Sequence, residues 1–313
     1  MTVRDSVLEL FEQNKGKSLS GQELARMLGV SRASVWKAVQ SLREEGYPVT
    51  GTPNRGYVLL RNDILSAAGI KPFLKGGWDV AVLDSVGSTN TEVRRRAQGG
   101  APDRTVVAAN MQTEGRGRRG KAFFSPGGTG LYFSVLLRPI MNLQDASQVT
   151  CRVAVAVARS IEKLAGTEAQ IKWVNDIYIN GKKVCGILSE AASDLESGSV
   201  EYIVVGIGIN VSTRDFPEEL KEIAASIPEG VNRNELLAEV LNQIDGCLEA
   251  DCMEEYKKRS CVLGKPIEII YQDRKEPATA LDIDSEGRLI VRDSFGNLKL
   301  LCSGEISVRI SNL

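Results

Sequence analysis

The stretch Gly115-Arg116-Gly117-Arg118-Arg119-Gly120-Lys121, followed by Phe123-Phe124-Ser125-Pro126-Gly127-Gly128-Thr129-Gly130-Leu131, decides which fold the chain can adopt. Its first six residues spell G-x-G-x-x-G, the dinucleotide fingerprint. That motif needs a strand before it, a helix opening on its last glycine and an acid about 20 residues on. The run Thr105–Met111 supplies the strand, but aromatics, a proline and three further glycines cannot open a helix. No acid stands near the expected place, where Arg138 lies. A doubly wound nucleotide domain is therefore excluded. What remains is a glycine loop carrying three arginines. Guanidinium forks bind phosphate or carboxylate, and glycines let backbone close over a ligand. A merely solvated basic loop is the weaker reading on a chain of net charge −1. With six glycines between 115 and 130, the loop is expected to be mobile when empty.

Composition narrows the chemistry. A length of 313 residues allows two or three domains. No apolar run approaches a membrane span and the N-terminus has no signal-peptide core, so a cytoplasmic protein without membrane contact is expected. Six scattered cysteines without C-x-x-C spacing read as buried free thiols. There is no histidine, which excludes Ser-His-Asp, Cys-His and HExxH chemistry. Residues 1–62 hold nine Lys and Arg against six acids, so the basic end is N-terminal.

That end reads as a DNA module. Val3, Val7, Leu10 and Phe11 give an amphipathic helix, and Ser20-Gly21-Gln22-Glu23 spells a capping box that opens a second over Glu23–Leu28. Gly29 stops the second helix. Ser31 caps a third, with Val35, Val39 and Leu42 inward. This is a helix-turn-helix, whose outward Ser31, Arg32, Ser34, Lys37 and Gln40 suit bases and phosphates. Val49–Thr52 and Tyr57–Leu59, joined through Arg55, form a wing. A protein-binding three-helix unit is the blander alternative; caps, turn and basic wing together favour DNA.

After a polar hinge near residues 62–66, Val80–Leu83 is a strand and Thr89-Asn90-Thr91-Glu92 spells a capping box for a helix to about Ala97. Ser88-Thr89-Asn90 is either that cap alone or a helix start with spare polar groups for a small ligand. Gln112, at a strand end, aims at the same place. Asn180-Gly181 between alternating runs marks a two-residue type I′ hairpin. Its register pairs Ile179 with Lys182, Tyr178 with Lys183 and Asp176 with Cys185. Lys172, Asp176 and Lys183 then share a face, as a structural ion pair or as a metal and phosphate site. Gly206 and Gly208 interrupt the strand Tyr202–Asn210, implying close approach by a ligand or a bulge at a sheet edge. From Leu263 five short strands suggest a small SH3-like barrel.

In this order, the winged helix, Ser-Thr-Asn, Gly-Arg-Gly-Arg-Arg-Gly, Lys-Trp-x-Asn-Asp, Lys-x-x-Gly-Ile-Leu and Gly-Ile-Gly-Ile-Asn resemble the bifunctional biotin protein ligase and biotin operon repressor family over essentially the whole chain. The resemblance implies a multidomain α+β protein. It would hold a winged helix-turn-helix over 1–62, a class II synthetase-like biotinyl/lipoyl transferase domain with a mixed sheet over 63–262, and an SH3-like β domain over 263–313. It implies biotin contacts from Ser88, Thr89, Asn90, Gln112, Gly115, Arg116, Gly117, Arg118, Lys183 and Gly186. Arg119, Lys121, Lys172, Asp176 and Asn210 fall to the nucleotide, with Asp176 near Mg²⁺, and Lys183, Arg118 and Asp176 carry the chemistry. ATP, Mg²⁺ and biotin are the implied reactants, with no tightly bound prosthetic group. A biotin carboxyl carrier or similar acceptor domain, operator DNA and a ligand-promoted homodimer are the implied partners. The family's tryptophan over the adenine has no counterpart after Trp173, which leaves Phe216 or an aliphatic residue for that place. A lipoate-type ligase and a repressor that only senses biotin are the competing readings.

Overall fold

The computed structural model describes residues 2–52, 56–142, 146–193, 199–271, 274–302 and 306–310. The chain divides into two compact units, Met1–Leu74 with Asn232–Ala238, and Lys75–Val231 with Glu239–Leu313.

In the first unit α1 (Val3–Gln13), α2 (Gly21–Leu28) and α3 (Arg32–Glu44) precede β1 (Val49–Thr52) and β2 (Gly56–Leu59). Each helix start is fixed by a side chain. Thr2 and Ser20 form reciprocal capping boxes with Asp5 and Glu23, and Ser31 Oγ accepts the Ser34 N–H at 3.1 Å. Gly29, at φ 65°, ends α2 in the left-handed conformation that glycine adopts without strain. The inward faces bring Val7, Phe11, Leu24, Val35, Val39 and Leu42 into one core with Leu59. β1 and β2 pair antiparallel, and Leu19 bridges to Tyr57. Arg55, assigned to the wing tip, lies outside the described residues.

This unit does not stop at residue 62. Ser66 caps the short α4 (Ala67–Ile70), and the Asp63 carboxylate accepts both the Arg233 backbone N–H at 2.7 Å and its guanidinium at 2.8 Å. Asn234 accepts the Ser66 N–H at 3.0 Å. The polar residues read as a hinge are thus held in place by hydrogen bonds.

The second unit is built on a seven-stranded sheet. β3 (Asp79–Val86), β4 (Thr105–Gln112), β5 (Gly130–Leu137), β6 (Gln170–Lys172), β7 (Asp176–Ile179), β8 (Lys182–Ser193) and β9 (Val200–Asn210) lie in the order β3-β4-β5-β9-β8-β7-β6. Only the β3–β4 pair is parallel. Helix α5 (Thr89–Gln98) places Val93 and Ala97 on Val107, Leu136 and Val204 of the sheet. The long α6 (Ala146–Ala165) covers β6–β9. Helix α7 (Arg233–Glu249) precedes α8 (Met253–Arg259), which is joined to α6 by ion pairs from Arg159 to Glu255 and from Arg259 to Glu162.

The C-terminal strands β10 (Pro266–Tyr271), β11 (Arg274–Ile283), β12 (Leu289–Asp293), β13 (Leu298–Leu301) and β14 (Ile306–Ile310) form an antiparallel sheet in the order β13-β12-β11-β10-β14. Ile267, Ala280, Ile283, Leu289 and Val291 fill its core. Cys302 is exposed and the other five thiols are free and buried. Among the described residues no helix is long and apolar enough to cross a membrane.

Candidate active site and candidate DNA-reading face

A helix start, a strand end and a hairpin of the second unit converge on one cavity of about 420 Å³, within the usual size range of small-molecule sites. The start of α5 supplies Ser88, Thr89 and Asn90, the end of β4 supplies Gln112, and the hairpin β7–β8 supplies Asp176, Lys183 and Gly186. Across them lie Arg116, Gly117, Arg118, Arg119 and Lys121 of the glycine-arginine loop, with Lys172 and Asn210 also on the wall.

The start of α5 differs from its sequence reading in an instructive way. Ser88, not Thr89, is the N-cap, and no side-chain capping bond is made. Glu92, read as the reciprocal partner of a capping box, instead bonds Arg95 and Arg96, which hold its carboxyl down at about 2. Thr89 is thereby released from capping. Its N–H and hydroxyl both donate to Gln112 Oε1, at 2.9 and 3.1 Å, while Gln112 Nε2 donates to Ser125. Ser134 on β5, buried, donates toward Thr89 Oγ1 at 2.7 Å and Asn90 Oδ1 at 2.6 Å. This is a connected polar network on the wall of the cavity. Such networks orient their members rigidly when every group is satisfied.

At the other end, the Asn180-Gly181 turn has φ of 50° and 76°, as a type I′ turn requires. The register agrees for Ile179–Lys182 and Tyr178–Lys183. A bulge between Ile177 and Tyr178 then shifts it by one, so Asp176 faces Gly186 rather than Cys185. The expectation failed there because a turn fixes register only until an extra residue enters one strand. Asp176 and Tyr178 still share a face, and Lys183 Nζ sits 2.6 Å from Asp176 Oδ1. Lys172 lies over the Tyr178 ring, 5.2 Å from its centroid.

The loop is pinned at both sides. Gly117 N–H donates to Lys121 O at 2.7 Å, Arg116 donates to Thr91 at 2.6 Å, and Arg118 donates to Asn175 at 3.2 Å. Burial pulls the Arg118 guanidinium below its usual range, the nearby Asp176 acting against that pull. Even lowered, a guanidinium stays charged at neutral pH. Gly115, expected among the biotin contacts, does not line the cavity. A Cβ there would meet the Phe123 carbonyl and stand 2.6 Å from Ser125 Oγ, so this glycine lets the loop close on itself.

The two strand glycines also find a definite reason. β9 is the central strand and runs in regular register past Gly206 and Gly208, so no edge bulge explains them. A Cβ on Gly206 would land on Asn90 Oδ1, and one on Gly208 would stand 2.5 Å from the Phe123 ring. The close approach is by the protein's own side chains.

Several residues of the site were given no contact of their own by the sequence reading. Phe123 and Phe124 line the cavity, Phe124 meeting Phe216 with ring centroids 6.2 Å apart, and Asn175 holds Arg118. Ile270 of β10 lines the same wall, and Trp173 Nε1 donates to Gly287 O at 3.0 Å, so the C-terminal sheet contributes to the site. Only tertiary folding brings these segments together. On α3, Trp36 is 54 % exposed beside Arg32, Lys37 and Gln40. Its outward direction could have been read from helical spacing, since Val35, Val39 and Leu42 face in.

Comparison with known proteins defines the class first. The Biotin/lipoate A/B protein ligase family matches residues 82–210, a helix-turn-helix (HTH) domain matches 3–58, and the Biotin protein ligase C terminal domain matches 262–309. The bifunctional ligase/repressor BirA of Bacillus subtilis is 36% identical over 98% of this chain and 99% of its own length. That of Escherichia coli is 32% identical over 94% of each. The structure of biotin protein ligase from Aquifex aeolicus in complex with biotin and ATP aligns with 74% of this chain and 99% of that one, at TM-score 0.64 and 29% identity. The chain belongs to the bifunctional biotin ligase/repressor family.

Proposed function

We propose that the protein is an ATP-dependent biotin protein ligase and a biotinyl-AMP-responsive repressor of biotin operon genes. The observation that carries the ligase reading is the placement of Arg118, Lys183 and Asp176 at one end of a cavity whose other end is the Thr89–Gln112–Ser134 network. A biotin ring suits the polar network, and its carboxylate then reaches the cationic end. There it attacks the α-phosphate of ATP, pyrophosphate leaves and biotinyl-5′-AMP forms. Both reactants are anionic, so charge repulsion dominates the barrier. Lys183 and Arg118 oppose it, and losing one such contact typically costs about 3 kcal/mol in the transition state.

Mg²⁺ would arrive with ATP and supply charge neutralisation to its phosphates, with Asp176 as the residue to hold it. Among the described residues no group of three acids or cysteines is placed to hold an ion, and Asp176 is the carboxylate at the phosphate end. A carrier-domain lysine then attacks the mixed anhydride and displaces AMP, its proton passing to Asp176 or water. Arg116, Arg119, Lys121 and Lys172 add positive charge along the nucleotide's path, and Phe216 with Phe124 offers the adenine an aromatic wall. The winged helix-turn-helix supports operator binding through Ser31, Arg32, Ser34, Lys37 and Gln40, by a dimer that the adenylate promotes on a palindromic site. ATP chemistry joined to DNA binding suits the cytoplasm.

The test is to incubate the protein with ATP, labelled biotin and an acceptor domain, with lipoate in parallel. Biotin transfer is expected. No labelling would sink the ligase reading, and lipoate labelling in its place would favour the lipoate-type alternative. Arg118→Gly is expected to release the adenylate sooner than the wild type. Operator affinity indifferent to biotin and ATP would remove the sensing role.

A further inference from the structure

Asn90 is nearly enclosed, and its side chain is already committed. Its Nδ2 donates to Leu188 O at 3.2 Å and to Glu190 Oε2 at 2.8 Å, which uses both amide protons. Its Oδ1 accepts from Ser134 at 2.6 Å. The other oxygen of Glu190 is held by Arg94 at 2.5 Å. A carboxylate and a carbonyl can only accept, so Glu190, at the shorter distance, together with Leu188 O compels the nitrogen of Asn90 to face them and the oxygen to face Ser134. Ser134 has one proton and two acceptors in reach, Asn90 Oδ1 and Thr89 Oγ1. With Asn90 so oriented, that proton is drawn toward Asn90. The Thr89 hydroxyl donates onward to Gln112, and its oxygen keeps acceptor capacity toward the cavity. Were the Asn90 amide reversed, Ser134 would give its proton to Thr89 and that capacity would be spent.

We infer that Glu190, itself oriented by Arg94, is a positioning residue for the ligand ring: it sets the polarity of the Asn90–Ser134–Thr89 chain so that Thr89 presents an acceptor to a ring N–H. The ureido N–H of biotin is a donor of this class, so the inference rests on the ligase reading and deepens it. Asn90 then serves as a relay inside the protein. Gly206 fits the same design, because any side chain there would displace Asn90 Oδ1.

The experiment measures biotin KM, ATP KM and kcat for adenylate formation, with biotin affinity by calorimetry in the absence of ATP. Wild-type protein is assayed first, so failure of the ligase reading appears there and separately. Glu190→Ala is expected to raise biotin KM about tenfold, with kcat and ATP KM within about twofold, because a hydrogen bond to a charged group is lost from one end of the site. Glu190→Gln keeps an acceptor for Asn90 and is expected to recover most of that loss. Should Glu190→Ala fold poorly, Arg94→Met tests the same chain from one step further out, with a smaller rise in biotin KM. In a double-mutant cycle, Ser134→Ala combined with Glu190→Ala is expected to be no worse than the poorer single change. Unchanged biotin KM in folded Glu190→Ala, a uniform loss across all three parameters, or additive effects in the cycle would each overturn the inference.

Discussion

Single atoms decide much of this site, and glycine shows it most directly. Gly206→Ala would drive a methyl group onto Asn90 Oδ1, and Gly208→Ala would press the Phe123 ring from 2.5 Å. Overpacking of this kind typically costs about 1–3 kcal/mol. The two changes should nevertheless separate by readout. Gly206→Ala is expected to weaken biotin binding roughly tenfold or more, because it disturbs the polar chain directly. Gly208→Ala is expected to act first on the loop, shortening adenylate retention. Calorimetry with biotin and a release assay distinguish them, and equal effects in both assays would contradict the division. Trp36 calls for the opposite test. It is 54 % exposed, so Trp36→Ala should leave Tm nearly unchanged. Operator affinity should fall about tenfold, as loss of one good base contact does. An unaltered operator titration would show that the exposed ring faces away from DNA.

At the scale of elements, local chemistry that closes within a few residues was legible and chemistry that closes across the sheet was not. The capping box of α2, the Ser31 cap and the left-handed Gly29 are short-range devices. Ser20 announced α2 correctly, although the helix opens at Gly21, ahead of Glu23. The same reasoning misplaced the start of α5. Thr89 and Glu92 have the spelling of a capping box, but Gln112, Ser134 and the two arginines compete for those groups and win. The bulge beside Tyr178 and the contribution of Ile270 from β10 were invisible for the same reason. Which residues line the cavity was largely legible because family motifs mark them. How they bond one another was not, since each partner sits on a different strand. The caps make their own prediction. Ser31→Ala removes the bond to the Ser34 N–H and should destabilise the first unit by about 1 kcal/mol. Thermal melting should show it, and biotin transfer to an acceptor should remain at the wild-type rate.

For the molecule as a whole, the absence of histidine governs how stability and activity respond to pH. Carboxylates with arginine partners define the acid side. Glu92 is held at about 2 by Arg95 and Arg96, Glu255 is lowered by Arg159, Glu162 by Arg259 and Asp284 by Arg288, the last two against the upward pull of burial. A carboxyl whose folded value lies below its unfolded one binds more protons when unfolded. The stability it contributes is therefore complete above about pH 5 and drains away as pH falls toward the folded value. The buried thiol of Cys151 points the other way along the scale, pushed up to about 12 by burial, so it stays protonated through neutrality. Tm is accordingly expected to be nearly flat between pH 6 and 8 and to fall steadily below pH 5, steeply between 4 and 2. A calorimetric series across this range is the check. A midpoint near pH 6.5 is the signature of a titrating imidazole, which this chain lacks, and finding one would require some other group to ionise there.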